Sequence, residues 1–178
     1  MTLALFLVTF GAGTALAQSN DGQVPFTITG SAVVTSVTKL PGGLLQVNFD
    51  GSGTATHLGD YTGSATRIQD NHGNFGTTAV LIGANEKDSV FLSVSGRVET
   101  SKDKCVNTSI GTFTVTGGTG AFANATGGGY SQRSSICAPA PNSGGYTGTI
   151  SKLTCSSGKD LTQSEINCQS HLKHMGIL

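Results

Sequence analysis

The 178-residue sequence has no tryptophan, four prolines and a charged fraction of only 11%. Its ten Lys and Arg residues balance its ten Asp and Glu residues. There is therefore no excess field to hold a polyanion, which disfavours nucleic acid and anionic membrane surfaces as partners. The scarcity of charged helix formers, beside 26 glycines and abundant Thr and Ser, argues for short strands and tight turns rather than helices. No lysine falls between Lys104 and Lys152 and no aspartate between Asp103 and Asp160. Also missing is an apolar run of the roughly 20 residues that a bilayer requires, so no integral membrane anchor is expected. The length suits one domain with a full core.

The N-terminus carries a shorter apolar run, Leu3 to Phe10, which passes through small residues to Ala15-Leu16-Ala17. That triplet has the form of a signal-peptidase site, although no Lys or Arg precedes the run. Residues 1–17 are expected to be an export signal, and the chain to be secreted or extracytoplasmic. An oxidising compartment turns an even cysteine count into disulfides. Cys105, Cys137, Cys155 and Cys168, spaced by 32, 18 and 13 residues, lack the paired short spacings of a structural zinc site. Three pairings are open. Cys105 with Cys137 is favoured because these residues flank two successive strand-like runs, which leaves Cys155 for Cys168.

Runs of period-two alternation dominate the middle of the chain, separated by Gly, Pro, Asn and Asp clusters. Eight occur, at about 26–39, 43–57, 61–69, 75–83, 89–100, 109–116, 127–136 and 145–155. In the second, Leu45, Val47 and Phe49 share one face and Gln46, Asn48 and Asp50 the other, so one face of the strand is buried. The connections are too short for the crossovers of a parallel sheet. The expected fold is all-β, an eight-stranded antiparallel up-and-down barrel over residues 18–155, with a sandwich as the other closed solution. Residues 156–178 lose the alternation and form a short tail with helix-forming residues.

One stretch needs a decision: TFTVTGGTGAFANATGGGY, Thr112 to Tyr130. A phosphate-binding glycine loop requires a helix directly after it and ends in Gly-Lys-Ser/Thr, whereas here a strand follows and lysine is absent. A calcium-binding glycine repeat requires regular aspartates, also absent. The stretch therefore reads as a structural corner. Gly117, Gly118 and Gly120 relieve a tight connection, Phe122 plugs the barrel end, and Gly127 opens the next strand against a crowded neighbour.

The segment Gly117-Gly118-Thr119-Gly120-Ala121-Phe122-Ala123-Asn124-Ala125-Thr126-Gly127 resembles the G-G-T-G-x-F-x-x-A-x-G signature of the allene oxide cyclase-like barrels, a group that includes the dirigent proteins. His57-Leu58-Gly59-Asp60-Tyr61-Thr62 is similar to the H-L-G-x-[FY]-T segment of its bacterial members. The resemblance implies an eight-stranded barrel over about residues 26–155. It also implies interior polar residues that steer closure of a reactive intermediate without a cofactor. None of those residues can be matched by position in this chain.

His57 is the first site candidate, because it ends the second run on the parity of Leu45, Val47 and Phe49 and so faces a barrel mouth or a turn. The turn role is expected for a histidine before Leu-Gly. Asp60 and Tyr61 stand across that turn, and His72 is a candidate for the same rim. Whole strands separate these groups, and no metal site is assigned. Arg97 and Glu99 sit opposite the valines of the fifth run, by default on the solvated face. Were the polar side the interior, they would line a cavity with Arg67, Glu86 and Asp88. His57, Tyr61 and Arg97 are thus the candidate ligand-binding residues. The expected function is binding of a small apolar or aromatic molecule. The alternatives are a cofactor-free cyclase or dirigent-like enzyme and a side-chain-filled structural barrel.

Overall fold

A computed structural model describes residues 22–102, 106–136, 141–151 and 173. The expected export signal, all four cysteines and the tail other than Lys173 lie outside the described residues.

Eight strands form one closed barrel in which every strand pairs with its sequence neighbour and the last pairs with the first. They are β1 (Gln23–Lys39), β2 (Leu45–Ala55), β3 (Gly59–Gln69), β4 (Asn74–Gly83), β5 (Ser89–Thr100), β6 (Val106–Thr119), β7 (Gly127–Ile136) and β8 (Asn142–Ser151). All pairs are antiparallel, and closure is made by β1 against β8, from Gln23 opposite Ser151 to Ala32 opposite Asn142. Closure leaves no free sheet edge along these paired stretches, where an open eight-stranded sheet would expose two.

The alternation seen in the sequence becomes the inside and outside of the barrel. On β4, Phe75, Thr77, Ala79 and Leu81 are buried, while Asn74, Gly76, Thr78 and Ile82 are exposed. The expected boundaries hold to within a few residues, with informative exceptions. β6 runs on through Gly117 and Gly118, which pair with Phe91 and Val90. Glycine carries no hydropathic alternation, yet its backbone completes the ladder. A register shift between Phe91 and Leu92 accompanies this continuation, as an extra residue in one strand does. β8 begins at Asn142, earlier than Gly145. β2 stops at Ala55, and His57 lies beyond it in a left-handed conformation, φ 68°.

Successive hairpins turn at opposite ends of the barrel. The turns at 56–58 and 84–88 and the corner at 120–126 close one end, and those at 40–44 and 70–73 lie at the other. The core is concentrated at the corner end, where Phe26, Ile28, Val90, Val115, Phe122 and Ile150 are fully buried. Phe122 belongs to a single 3-10 turn, Gly120–Phe122, that folds inward between β6 and β7. It has no exposed surface, so this end is plugged by a side chain.

Candidate functional site: a cavity with two arginines

Away from the Phe122 plug the interior changes character and leaves a cavity of about 60 Å³ open to the centres of water molecules. It is built by the inward parity of successive strands. β3 contributes Tyr61, Gly63, Ala65 and Arg67, and β4 contributes Thr77, Ala79 and Leu81. Ser31 and Ala32 of β1, Phe49 and Gly51 of β2, Leu92 of β5, Arg133 of β7, and Asn142 and Tyr146 of β8 also line it. Tyr146 is held edge-on against Phe113, with ring centroids 5.5 Å apart and planes at 85°. This is the favoured geometry for two aromatic quadrupoles.

Arg67 is the least expected of these residues, since it is only 9% exposed. Its Nε–H donates to Thr77 Oγ1 at 3.3 Å and its Nη1 to Ser109 Oγ at 3.2 Å. Its guanidinium carbon lies 4.1 Å from the Phe75 ring centroid and 5.3 Å from that of Phe49. The hydroxyls and ring faces hold the guanidinium plane and offset part of its desolvation, but they bring no negative charge. Burial lowers the Arg67 pKa, Tyr146 opposes that shift in part, and Arg133 adds a smaller push downward. An arginine's ordinary pKa lies so far above neutrality that the group stays charged at neutral pH.

Arg133 enters from the opposite wall. Its Nη2 donates to the carbonyl oxygens of Asn142 at 3.2 Å and Gly30 at 3.4 Å, and its charge lies 5.8 Å from the Tyr146 ring centroid. Tyr61 is beside it, with its hydroxyl donating to the Thr29 carbonyl at 3.4 Å. Glycine at position 30 makes this possible, because a Cβ there would stand 2.6 Å from the Tyr61 hydroxyl. Burial raises the Tyr61 pKa, and the nearby Arg133 only partly counters it. At neutral pH the phenol is therefore a neutral donor and not a base. Asn142 Oδ1 is buried without a hydrogen-bond partner among the described residues.

Of the three candidate ligand-binding residues Tyr61 alone lines the cavity, together with Arg67, which the sequence placed there only if the polar side faced inward. His57 takes the turn role: its ring is half-buried at the corner end, with Nε2 3.3 Å from the Pro25 carbonyl oxygen. Burial lowers its pKa, more than the Pro25 contact raises it. His72 lies at the other end of the barrel from His57, correcting the shared rim, because consecutive hairpins cannot turn on the same side. Arg97 is exposed, opposite Asn74 and Ile110 on the outer face, and is corrected as a cavity residue. Glu86 and Glu99 are likewise exposed. Asp88 is buried but serves the corner. Its Oδ1 accepts the Ala121 N–H at 2.9 Å and its Oδ2 the Asn85 amide at 2.7 Å. A carboxylate of the chain thus occupies an amide that a phosphate loop would need. Gly117, Gly120 and Gly127 hold positive φ values of 133°, 57° and 153°, and a Cβ on Gly118 would overlap the Ser89 carbonyl oxygen.

The residues that sequence reasoning undervalued are Arg67, Arg133, Asn142 and Tyr146. Parity was the available signal: Arg67 is in step with Tyr61, Gly63 and Ala65, and Arg133 with Gly127, Gly129 and Ser131. Small residues have no hydropathic signature, so neither strand declares its inward face. On β7 the aromatic Tyr130 points outward, 77% exposed.

Among the described residues no cluster of three or more His, Cys, Asp or Glu side chains is placed to hold a metal ion. No helix among them is long and apolar enough to cross a membrane. Comparison of the chain with protein-family models, with curated proteins and with solved structures finds no match.

Proposed function

We propose that the barrel binds one small aromatic or apolar molecule in its interior cavity and releases it unchanged. The observation that carries this reading is the cavity itself, an unfilled space walled by Phe49, Tyr61, Leu81, Leu92 and Tyr146 inside the barrel. Small barrels hold either their own side chains or one small ligand. At roughly 10–15 Å³ of such volume per water, the space corresponds to about four to six waters, or to one compact ring. Proton-transfer chemistry of the cyclase or dirigent kind requires a positioned acid or base. The described cavity wall has neither carboxylate nor histidine, which favours binding over turnover. The same reading places the protein outside the cytosol, on the strength of the apolar run and Ala15-Leu16-Ala17.

Thermal unfolding with phenol, indole or toluene at millimolar concentration tests the reading. A ligand that binds only the folded state raises Tm as its concentration passes Kd. At least one of these probes is expected to do so, and Ala79→Leu, which narrows the cavity, to suppress the shift while remaining folded. No shift with any probe, or an equal shift in the variant, would remove the cavity as the binding site.

A further inference from the structure

We propose that the cavity selects a carboxylate, with Arg67 and Arg133 reading the anionic group of a ligand whose ring or short apolar chain lies among Phe49, Tyr61 and Tyr146. This rests on the reading of the barrel as a small-molecule binder and names the chemical class of its ligand.

Two guanidinium groups share one small cavity, and no described carboxylate faces either of them. Asp50, Asp60, Glu86 and Glu99 are exposed. Asp70 accepts from the His72 and Asn74 amides in its own turn, and Asp88 binds Ala121 and Asn85 at the corner end. Arg67 is buried and Arg133 half-buried, and neighbouring charges of one sign withdrawn from water are costly to hold in the absence of a counterion. The wall around them is otherwise neutral, so the net field in the cavity is positive. An anion entering it relieves both the repulsion and the desolvation.

The donors are also held ready. Arg67 Nη2 has no hydrogen bond among the described residues, its Nε and Nη1 being the atoms tied to Thr77 and Ser109. On Arg133, Nη2 is anchored to the Gly30 and Asn142 carbonyls, and the guanidinium also stands within hydrogen-bonding reach of the Tyr61 hydroxyl. Planar guanidinium groups with free N–H pairs suit the two oxygens of a carboxylate. The Phe75 and Phe49 faces fix the Arg67 plane in advance, which reduces the ordering cost of binding. Asn142 Oδ1, the buried acceptor without a partner, belongs to the same wall. A hydroxyl or N–H on the ligand would satisfy it, and rotation of its amide would present a further donor to the anion.

The test compares sodium benzoate with benzamide, nearly the same shape without the charge, by calorimetric titration of the full chain. In parallel, the guanidinium Nε–H signals of Arg67 and Arg133 are followed by ¹⁵N NMR. Benzoate is expected to bind at least tenfold more tightly than benzamide and to shift both arginine signals. Arg133→Gln is expected to reduce that preference to within about threefold. Added salt should weaken benzoate and leave benzamide unchanged. Equal binding of the two probes, or benzoate binding that moves neither arginine signal, would overturn the carboxylate proposal and leave small-molecule binding standing. Failure of benzoate, benzamide and the neutral probes alike would overturn both. The wild-type NMR signals decide the matter even where a variant fails to fold.

Discussion

The guanidinium of Arg67 stands 4.1 Å from the centre of the Phe75 ring, a cation on an aromatic face inside a barrel whose described wall offers it no carboxylate. Under the proposed carboxylate binding, stability and ligand recognition pull in different directions at this contact. The rings and two hydroxyls hold the group, but its charge remains unneutralised.

Arg67→Met should therefore leave the unliganded protein as stable as the wild type or raise its stability by about 1 kcal/mol, since an apolar side chain of similar length avoids the cost of burying the charge. The gain is limited by the loss of the bonds to Thr77 and Ser109. Urea unfolding of the two proteins without ligand checks this, and a loss greater than about 2 kcal/mol would show that the cation is a net structural support. Benzoate binding should be lost in the same variant.

At the corner, Gly120 combines a φ of 57° with a Cβ direction that runs into Asp88 Oδ1 and lies 2.9 Å from the Lys87 carbonyl oxygen. Gly120→Val should cost on the order of 1–3 kcal/mol. Asp88→Ala, which strips the acceptor from the buried Ala121 N–H, should cost a similar amount. Because one variant removes the atom that the other collides with, the double variant should be less destabilised than the sum, by on the order of 0.5–1 kcal/mol. Strict additivity in chemical denaturation would separate the corner from the aspartate.

His57 gives the stability a dependence on pH. Its folded pKa lies below the ordinary 6.5, because burial disfavours the charged ring. Between the two values the unfolded chain binds more protons than the folded one, so stability is full above about pH 6.5 and falls as pH drops through the lowered folded value. His57→Asn should flatten that part of the profile, and asparagine tolerates the left-handed backbone at φ 68° better than most residues. Tm measured from pH 7.5 to 5 in both proteins checks it, and an unchanged slope in the variant would assign the effect to other groups. Ligand binding should survive the substitution, since His57 does not line the cavity.

The register of β6 and β7 pairs Val106 with Ile136, and the residues adjoining them in sequence are Cys105 and Cys137. Both cysteines lie outside the described residues, and their pairing is the expectation drawn from the order of the strand-like runs. Peptide mapping of exported protein under non-reducing conditions should recover these two cysteines in one linked pair, and reduction should cost about 3 kcal/mol of stability. Free thiols at both positions would defeat the expectation.

Much of the fold was legible because the barrel imposes a period of two on its strands and glycine-rich turns between them. Phe49 declared its face through hydropathy and lines the cavity, although Leu45 to Phe49 are all half-buried and show no contrast between the two faces; the order of runs with short connections left room for few topologies. The glycine corner was legible through what it lacked, the lysine and aspartates of a ligand loop. The site was much less so. Arg67 follows Gly63 and Ala65, and Arg133 follows Gly129 and Ser131, in strands whose inward residues are too small to mark a face. Arg97, on a strand with clear valine parity, attracted attention although it points to solvent.

By itself the sequence determined an all-β chain, the approximate limits of its strands and the structural nature of the segment around Phe122, because backbone preference and burial parity are local properties written every two residues. Only the tertiary structure decided that the sheet closes with β1 against β8, that His57 and His72 lie at opposite ends, and that Arg67 and Arg133 share one cavity. Those relationships join residues far apart in the chain, and their distances depend on closure, on register and on the space that side chains leave unfilled.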